Sequence, residues 1–268
     1  MAYPRHDDAV DYALSIARNY LDMLRKRGIA LDRAAILEIG PGADFAVQLV
    51  LASHGAHVTL ADRFLAQWDD EFHPGFYRDF MARHDGPVGA IEAALARGGY
   101  HGVLTLLPEP AEALNSIADG SIDLVLSNAV LEHVRNLDDT VAELARIARP
   151  GGVQAHQVDC RYHSDFSRPL EHLTASKLLF DARRLASNCV EGTQLRLAEI
   201  AERFTPYFWI DEIEPNAFAE FDYLDRIMPH LRGRYAEFPR QTLRITGGRI
   251  WLSRKPDPAK TSWRRVFR

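Results

Sequence analysis

The spacing of apolar residues changes along this chain, and each change marks an element. Val10, Leu14, Ala17, Leu21 and Leu24 recur at alternating four- and three-residue steps, which places them on one face of a helix. Asp7 and Asp8 precede that run and Lys26, Arg27 and Gly28 follow it, so charge complements the helix dipole and glycine supplies the stop. A short apolar run, Ala34 to Ile39, then meets Gly40-Pro41-Gly42 and yields to helical spacing at Phe45, Leu49 and Ala52, ended by Gly55. Strand, tight bend and helix in that order open a parallel α/β sheet.

Further buried strands are expected at His57–Ala61, Val103–Leu107, Ile122–Leu126 and Val153–Val158. A helix over Leu137–Ala148 separates the last two and stops at Arg149-Pro150-Gly151-Gly152, read as a structural turn. Leu178–Ala186 and Leu195–Phe204 read as helices, and Tyr207–Ile213 with Leu243–Trp251 as a closing antiparallel pair. The expected fold is α/β: a Rossmann-like, doubly wound seven-stranded sheet, mostly parallel with an antiparallel last strand and helices on both faces. Residues 1–33 form a helix that packs on the core, 34–255 the main domain with insertions at about 63–100 and 216–240, and 256–268 a tail. The first insertion is aromatic, with Phe64, Trp68, Phe72, Phe76, Tyr77 and Phe80. It reads either as a cover over the site or as a structural excursion, and long connections in compact domains favour a functional use.

The bend selects among ligands. A dinucleotide site needs Gly-x-Gly-x-x-Gly, whose third glycine lets helix and strand pack closely. Phe45 stands there. No Gly-Lys-Ser/Thr follows, so a phosphate-binding P-loop fails as well. Glu38, two residues before the first glycine, suits a ligand carrying an ammonium group. Asp62 closes the second strand about 20 residues on, where an acid accepts from ribose hydroxyls.

A ribose together with a positive group brings the chain to a known pattern. With Glu38-Ile39-Gly40-Pro41-Gly42, Asp62 and the stretch Ile122 to Val134 containing Ser127-Asn128-Ala129-Val130-Leu131-Glu132-His133, the chain resembles the class I S-adenosylmethionine-dependent methyltransferases, specifically the small-molecule group like the ubiquinone and menaquinone methyltransferases (type 11). The resemblance implies S-adenosyl-L-methionine as cofactor, with Glu38, Gly40 and Gly42 along the methionine moiety and Asp62 on the ribose. It also implies Asn128 at the cofactor and an acid on the adenine edge. Pro110 occupies that acid's usual place, so Glu109 or Glu112 would substitute, and Glu112 is the candidate.

Composition narrows the rest. A net charge of −5 and a pI near 6.1 give no broad basic footprint, so nucleic acid is not expected as a partner. Cys160 and Cys189 make no disulfide framework, the N-terminus lacks the apolar core of a signal peptide, and no apolar run reaches membrane-spanning length. A cytoplasmic enzyme acting on a small molecule or glycan-like acceptor follows; its oligomeric state is not legible.

His133 is the candidate general base, because imidazole titrates near neutral pH and lies just past strand four; bonding to a nearby carbonyl is the bland alternative. Asp159, Arg161 and His163, at the end of strand five, are candidates for substrate contact. His156 and Asp159 point to opposite faces of an extended strand, so no metal is assigned to that segment. Two other functions stay open: a cofactor-binding regulatory or scaffold protein without turnover, and an NAD-dependent oxidoreductase.

Overall fold

The computed structural model describes residues 6–256, so the tail expected at 256–268 lies outside the described residues apart from Pro256. Seven strands form one mixed sheet in the order β3-β2-β1-β4-β5-β7-β6. They are β1 (Ala35–Ile39), β2 (His57–Ala61), β3 (Thr105–Leu107), β4 (Ile122–Asn128), β5 (Ala148–Asp159), β6 (Phe208–Phe218) and β7 (Ile245–Arg254). β2 pairs parallel with β1 and β3, and β7 runs antiparallel to both β5 and β6, as the sequence pattern predicts.

The chain divides into two compact units. The first runs to Pro110 and adds Leu114–Ser116 and Ser121–Leu124; the second takes Ala111–Ala113, Ile117–Gly120 and everything from Val125. In the first unit α1 (His6–Lys26) buries Val10, Leu14, Ala17 and Leu24 and packs on α2 (Ala46–Ser53) and α3 (His73–Arg83). The aromatic insertion is largely core: Phe76, Tyr77 and Phe80 of α3 are fully buried, and α4 (Gly89–Arg97) packs on α2 and ends on left-handed Gly98. A cover made of the whole insertion is therefore corrected. Its apolar rings are consumed by packing, and Phe64 is the large side chain left exposed there. Asp123, an acid inside an apolar strand, accepts the Ala35 N–H at 2.7 Å and so pins the start of β1. That bond accounts for a carboxylate in a strand otherwise selected for burial.

In the second unit α5 (Leu137–Ile147) starts at Asn136, whose side chain accepts from the N–H groups of Asp138 and Asp139. Strand β5 starts at Ala148, so Arg149-Pro150-Gly151-Gly152 belongs to the strand and is not a turn ahead of it. Ala148 is already extended and Gly151, at φ 78°, absorbs the change of direction. The third strand is shorter than Val103–Leu107 because Val103 and Leu104 donate back to the Tyr100 carbonyl as a turn. α6 (Lys177–Ala186) and α7 (Leu197–Arg203) follow the predicted helices closely.

Strand β6 runs past Ile213 to Phe218, with register breaks that accommodate Pro215, and it lies at the sheet edge, where proline is tolerated. The insertion placed at 216–240 therefore starts later and is helical, with α8 (Phe221–Ile227) and α9 (Arg240–Arg244) joined by 3-10 turns. It closes over a cluster of its own that includes Leu170, Leu173, Leu224 and Leu243.

β7 is flanked by strands on both sides, and glycine is needed at its start. A Cβ on Gly248 would lie 2.6 Å from the Glu214 carbonyl oxygen and 2.5 Å from a Leu197 methyl. Overpacking of this kind costs about 1–3 kcal/mol. Gly248→Ala should lower the unfolding free energy by that amount, read as a lower urea midpoint at unchanged m-value; an unchanged midpoint would show that β7 has room the geometry denies.

Candidate functional site

The first unit gathers Glu38, Gly40, Gly42 and Asp62 at the C-terminal ends of β1 and β2. Register sets Glu38 beside Leu60 and Ile39 beside Ala61, and Gly40 N–H donates to the Ala61 carbonyl at 3.0 Å. The bend thus lies against the end of the strand that carries Asp62. Gly40 and Gly42 take φ 62° and 80°, and space opens beyond the Gly42 Cα. Such backbone angles favour glycine, and the missing side chain leaves the peptide accessible.

Glu38 is buried behind this bend. Tyr20 O–H donates to Oε1 at 3.1 Å, and Gln48 Nε2 donates to Oε2 at 2.7 Å while also reaching the Pro41 carbonyl at 3.4 Å. Both carboxylate oxygens are occupied, so Glu38 acts on the bend by charge and by anchoring it through Gln48. Burial pushes its carboxyl up to about 7, with the nearby Asp44 adding to the rise. Asp44 is itself raised by burial and accepts the Ala46 N–H at 3.0 Å, the first residue of α2. The helix start therefore presents a carboxylate to the bend. Phe45, in the third-glycine position, takes φ 52° and is fully buried, its ring 4.8 Å from that of Tyr100.

Asp62 Oδ1 accepts the Phe64 N–H at 2.7 Å, which turns the chain and leaves Oδ2 for a ligand. Ala43 and the segment Phe64 to Asp69 line a cavity of about 390 Å³ in this unit. Tyr77 supports the same loop from behind, donating to the Asp44 carbonyl, and His73 Nε2 lies 3.5 Å from the Ala43 carbonyl.

The second unit holds the other candidates. Asn128 ends β4, half-buried. Glu112 Oε1 accepts the Arg135 N–H at 2.9 Å and the Asn136 N–H at 3.4 Å, a structural use of the oxygen proposed for adenine. Glu109, the other substitute, belongs to the first unit and bonds Ser116 through both oxygens. Asp159 and Arg161 pair with one another, Nη2 to Oδ2 at 2.6 Å, which holds the Asp159 carboxyl below its usual range; the guanidinium lies 4.3 Å from the Phe166 ring centre. His156 is fully buried between Ser127 and Gln154, and burial drives its pKa down to about 3; it does not converge with Asp159. Cys160 is buried, its thiol pushed up to about 12 by desolvation.

His133 and His163 meet, their ring centres 4.6 Å apart. His133 Nδ1 lies 2.8 Å from the Cys189 carbonyl oxygen, so Nδ1 carries a proton and donates, and neutral His133 keeps its lone pair on Nε2. The carbonyl bond offered by the bland alternative is therefore present, and it orients the ring. Glu132 is buried, with Oε1 accepting the Asp159 N–H at 3.1 Å and Oε2 without a partner among the described residues; desolvation pushes its carboxyl up to about 8. Glu132, His133 and His163 each bring one ligand atom within 4.8 Å of the others, a two-histidine, one-carboxylate set. A tetrahedral ion with bonds of about 2 Å needs those atoms about 3.3 Å apart, so the set closes on an ion only by side-chain rotation. Sequence spacing did not group these three, because 29 or more residues separate His163 from the pair.

Comparison with known proteins follows this geometry. Residues 84–155 match the family model for a methyltransferase domain. No curated protein matches the chain. Among solved structures, a candidate sarcosine dimethylglycine methyltransferase from Galdieria sulphuraria is 14% identical with a TM-score of 0.52, covering 95% of this chain and 92% of its own. The cyclase SpnF is 14% identical with a TM-score of 0.51, covering 89% and 81%. An S-adenosylmethionine-dependent methyltransferase from Mesorhizobium loti is 16% identical with a TM-score of 0.49, covering 84% and 93%. The fold is that of the class I methyltransferases. Together, the fold and the family match support a methyltransferase.

Two measurements probe this site. In the folded chain burial holds the Glu38 proton to about pH 7, whereas an exposed carboxyl releases it near 4.5. The folded state then binds more protons between those values, so stability is full below about 4.5 and falls as pH rises through 7. At 1.36 kcal/mol per unit, the Glu38 contribution is about 3 kcal/mol. Urea unfolding of the apoprotein at pH 5 and pH 7.5 should show a smaller loss for Glu38→Gln than for the wild type, and equal losses would disprove the shift. Separately, exhaustive dialysis against EDTA decides whether Glu132, His133 and His163 work as proton-handling groups. If they do, turnover survives the treatment; loss restored by a divalent ion assigns them to a metal.

Proposed function

We propose that the protein transfers the methyl group of S-adenosyl-L-methionine to a small-molecule acceptor by in-line displacement. One observation carries this reading: two neighbouring carboxyl groups, buried Glu38 and half-buried Asp44, back a glycine bend whose helix start is already satisfied by Asp44. A diphosphate brought to that bend meets negative charge and no free first N–H. A sulfonium amino acid, with its positive sulfur and ammonium, is attracted by the same charge. Asp62 holds the ribose with Oδ2, and Gly40 and Gly42 lie along the methionine moiety. The occupied oxygen of Glu112 supports a structural use and leaves the adenine edge to other groups.

The acceptor's proton goes to His133 Nε2, whose lone pair is fixed outward by the Nδ1 bond to Cys189. The acceptor oxygen, nitrogen or carbon then takes the methyl group as the carbon–sulfur bond breaks to the neutral thioether. Most of the rate comes from alignment, for which about 7–11 kcal/mol is available, and the base adds about 10²–10⁴-fold. The cyclase SpnF has a similar fold, so a second reading keeps the cofactor site without methyl transfer.

Thermal unfolding with S-adenosylhomocysteine, S-adenosylmethionine or NAD added singly tests the cofactor assignment. At about 100 times its dissociation constant, S-adenosylhomocysteine should stabilise by about 2.7 kcal/mol. Asp62→Ala should abolish this, and stabilisation by NAD alone overturns the proposal. Turnover on a panel of hydroxyl, amine and carbon nucleophiles should fall about 10²–10⁴-fold in His133→Asn with cofactor binding intact. Cofactor binding without turnover on any nucleophile favours the second reading.

A further inference from the structure

The second unit contains a cavity of about 720 Å³ whose charge runs against that of the chain as a whole. The sequence carries a net −5, yet this cavity is lined by five arginines and a lysine with Asp138 and Asp181 as its acids. Three of those cations are neutralised: Arg203 by Asp138 at 3.0 Å, Arg234 by Glu199 at 2.6 Å, and Lys177 by Asp181. The guanidinium groups of Arg135, Arg184 and Arg232 pair with no carboxylate among the described residues.

Arg184 is the most strongly positioned of the three. Its Nε donates to the Gly192 carbonyl at 2.8 Å and its Nη2 to the Val134 carbonyl, so neutral oxygens fix the guanidinium without cancelling its charge. Arg135 reaches only the Asn188 side chain, at 3.5 Å, and Arg232 has no polar partner among the described residues. Part of the lining is apolar: Leu131, Val134 and Phe180 are buried, and Tyr235 also lines the cavity with its hydroxyl donating to the Gln194 carbonyl at 2.8 Å.

A partly apolar lining beside uncompensated guanidinium groups is complementary to one kind of ligand. We propose that this cavity binds an amphiphilic oxyanion, a compact apolar body bearing one carboxylate or phosphate, held by Arg135, Arg184 and Arg232. Guanidinium suits both anions because its planar fork donates two parallel hydrogen bonds. Arg184 is half-buried while Arg135 and Arg232 are exposed at its side, so three like charges share one cavity and an anion bound there relieves their mutual repulsion. Leu131 and Val134 bracket Glu132 and His133 in sequence. The ligand is therefore assigned as the methyl acceptor, or the anionic end of one; this last step rests on the methyl-transfer reading, while the binding itself does not.

Calorimetric titration of the full chain with phenylacetate, phenyl phosphate and the uncharged phenylacetamide tests the proposal. At least one anion should bind about tenfold or more tighter than the amide, and binding should weaken with added salt. The stronger of the two anions identifies the group. Arg135→Gln combined with Arg232→Gln spares the Arg184 bonds to the loop. That double variant should lose the anion's advantage over the amide while S-adenosylhomocysteine binds as in the wild type. Equal binding of acid and amide, no binding of either anion, or an unchanged advantage in the double variant overturns the proposal. Loss of S-adenosylhomocysteine binding in the wild type would instead count against the methyl-transfer reading and leave the anion result standing.

Discussion

The first unit is arranged around one expensive act, the burial of the Glu38 carboxylate. A carboxyl removed from water must lose its charge or find donors, and here it finds one on each oxygen, Tyr20 from α1 and Gln48 from α2. Those donors tie the first helix, the first strand and the second helix to a single group. Gln48 extends the tie to the Pro41 carbonyl, so the bend inherits its position from the carboxylate. Even with both donors, burial still outweighs them and the carboxyl stays raised to about 7. The residual cost is what a cation placed at the bend would relieve.

Residues whose roles are local were legible in the sequence. Glu38, Gly40, Gly42 and Asp62 were found because strand, bend and acid follow one another at fixed intervals, and the parallel register of β1 and β2 converts those intervals into proximity. The antiparallel β7 was legible for the same reason, through its apolar run and its two glycines. Tyr20 and Gln48 were not, because a tyrosine on an amphipathic helix and a glutamine on an apolar one look like ordinary packing until the helices meet at Glu38. His163 was singled out as a substrate contact, but its pairing with His133 depends on how the segment after β5 returns, which periodicity does not encode. The arginines of the second unit escaped notice for a related reason: they are scattered over about a hundred residues within an acidic chain, and only folding concentrates them.

Element boundaries moved where backbone geometry overruled composition. Arg149-Pro150-Gly151-Gly152 has the residues of a turn, yet it lies within β5, because Ile147 ends α5 and Ala148 passes directly into strand angles. The aromatic run after Asp62 has the composition of a mobile cover, yet Phe76, Tyr77 and Phe80 are wholly buried. Burying a ring of that size is strongly favourable, so aromatic side chains in number go inward unless something else holds them at the surface.

That aromatic core also explains how the chain manages without a third glycine. In a dinucleotide site the third glycine exists so that helix and strand can approach closely beneath a pyrophosphate. Phe45 instead adopts the left-handed backbone angle that a glycine would take, and its ring is absorbed by Tyr100. Tyr100 in turn meets the Tyr77 hydroxyl at 3.0 Å, and Tyr77 donates to the Asp44 carbonyl. A non-glycine residue at positive φ is costly and persists only where its surroundings enforce it. Here the insertion enforces it, and in doing so it holds the Asp44 carboxylate over the start of α2. The packing that replaces glycine thus also sets the sign of charge at the bend, which ties the identity of the ligand to the aromatic insertion and not to the glycines alone.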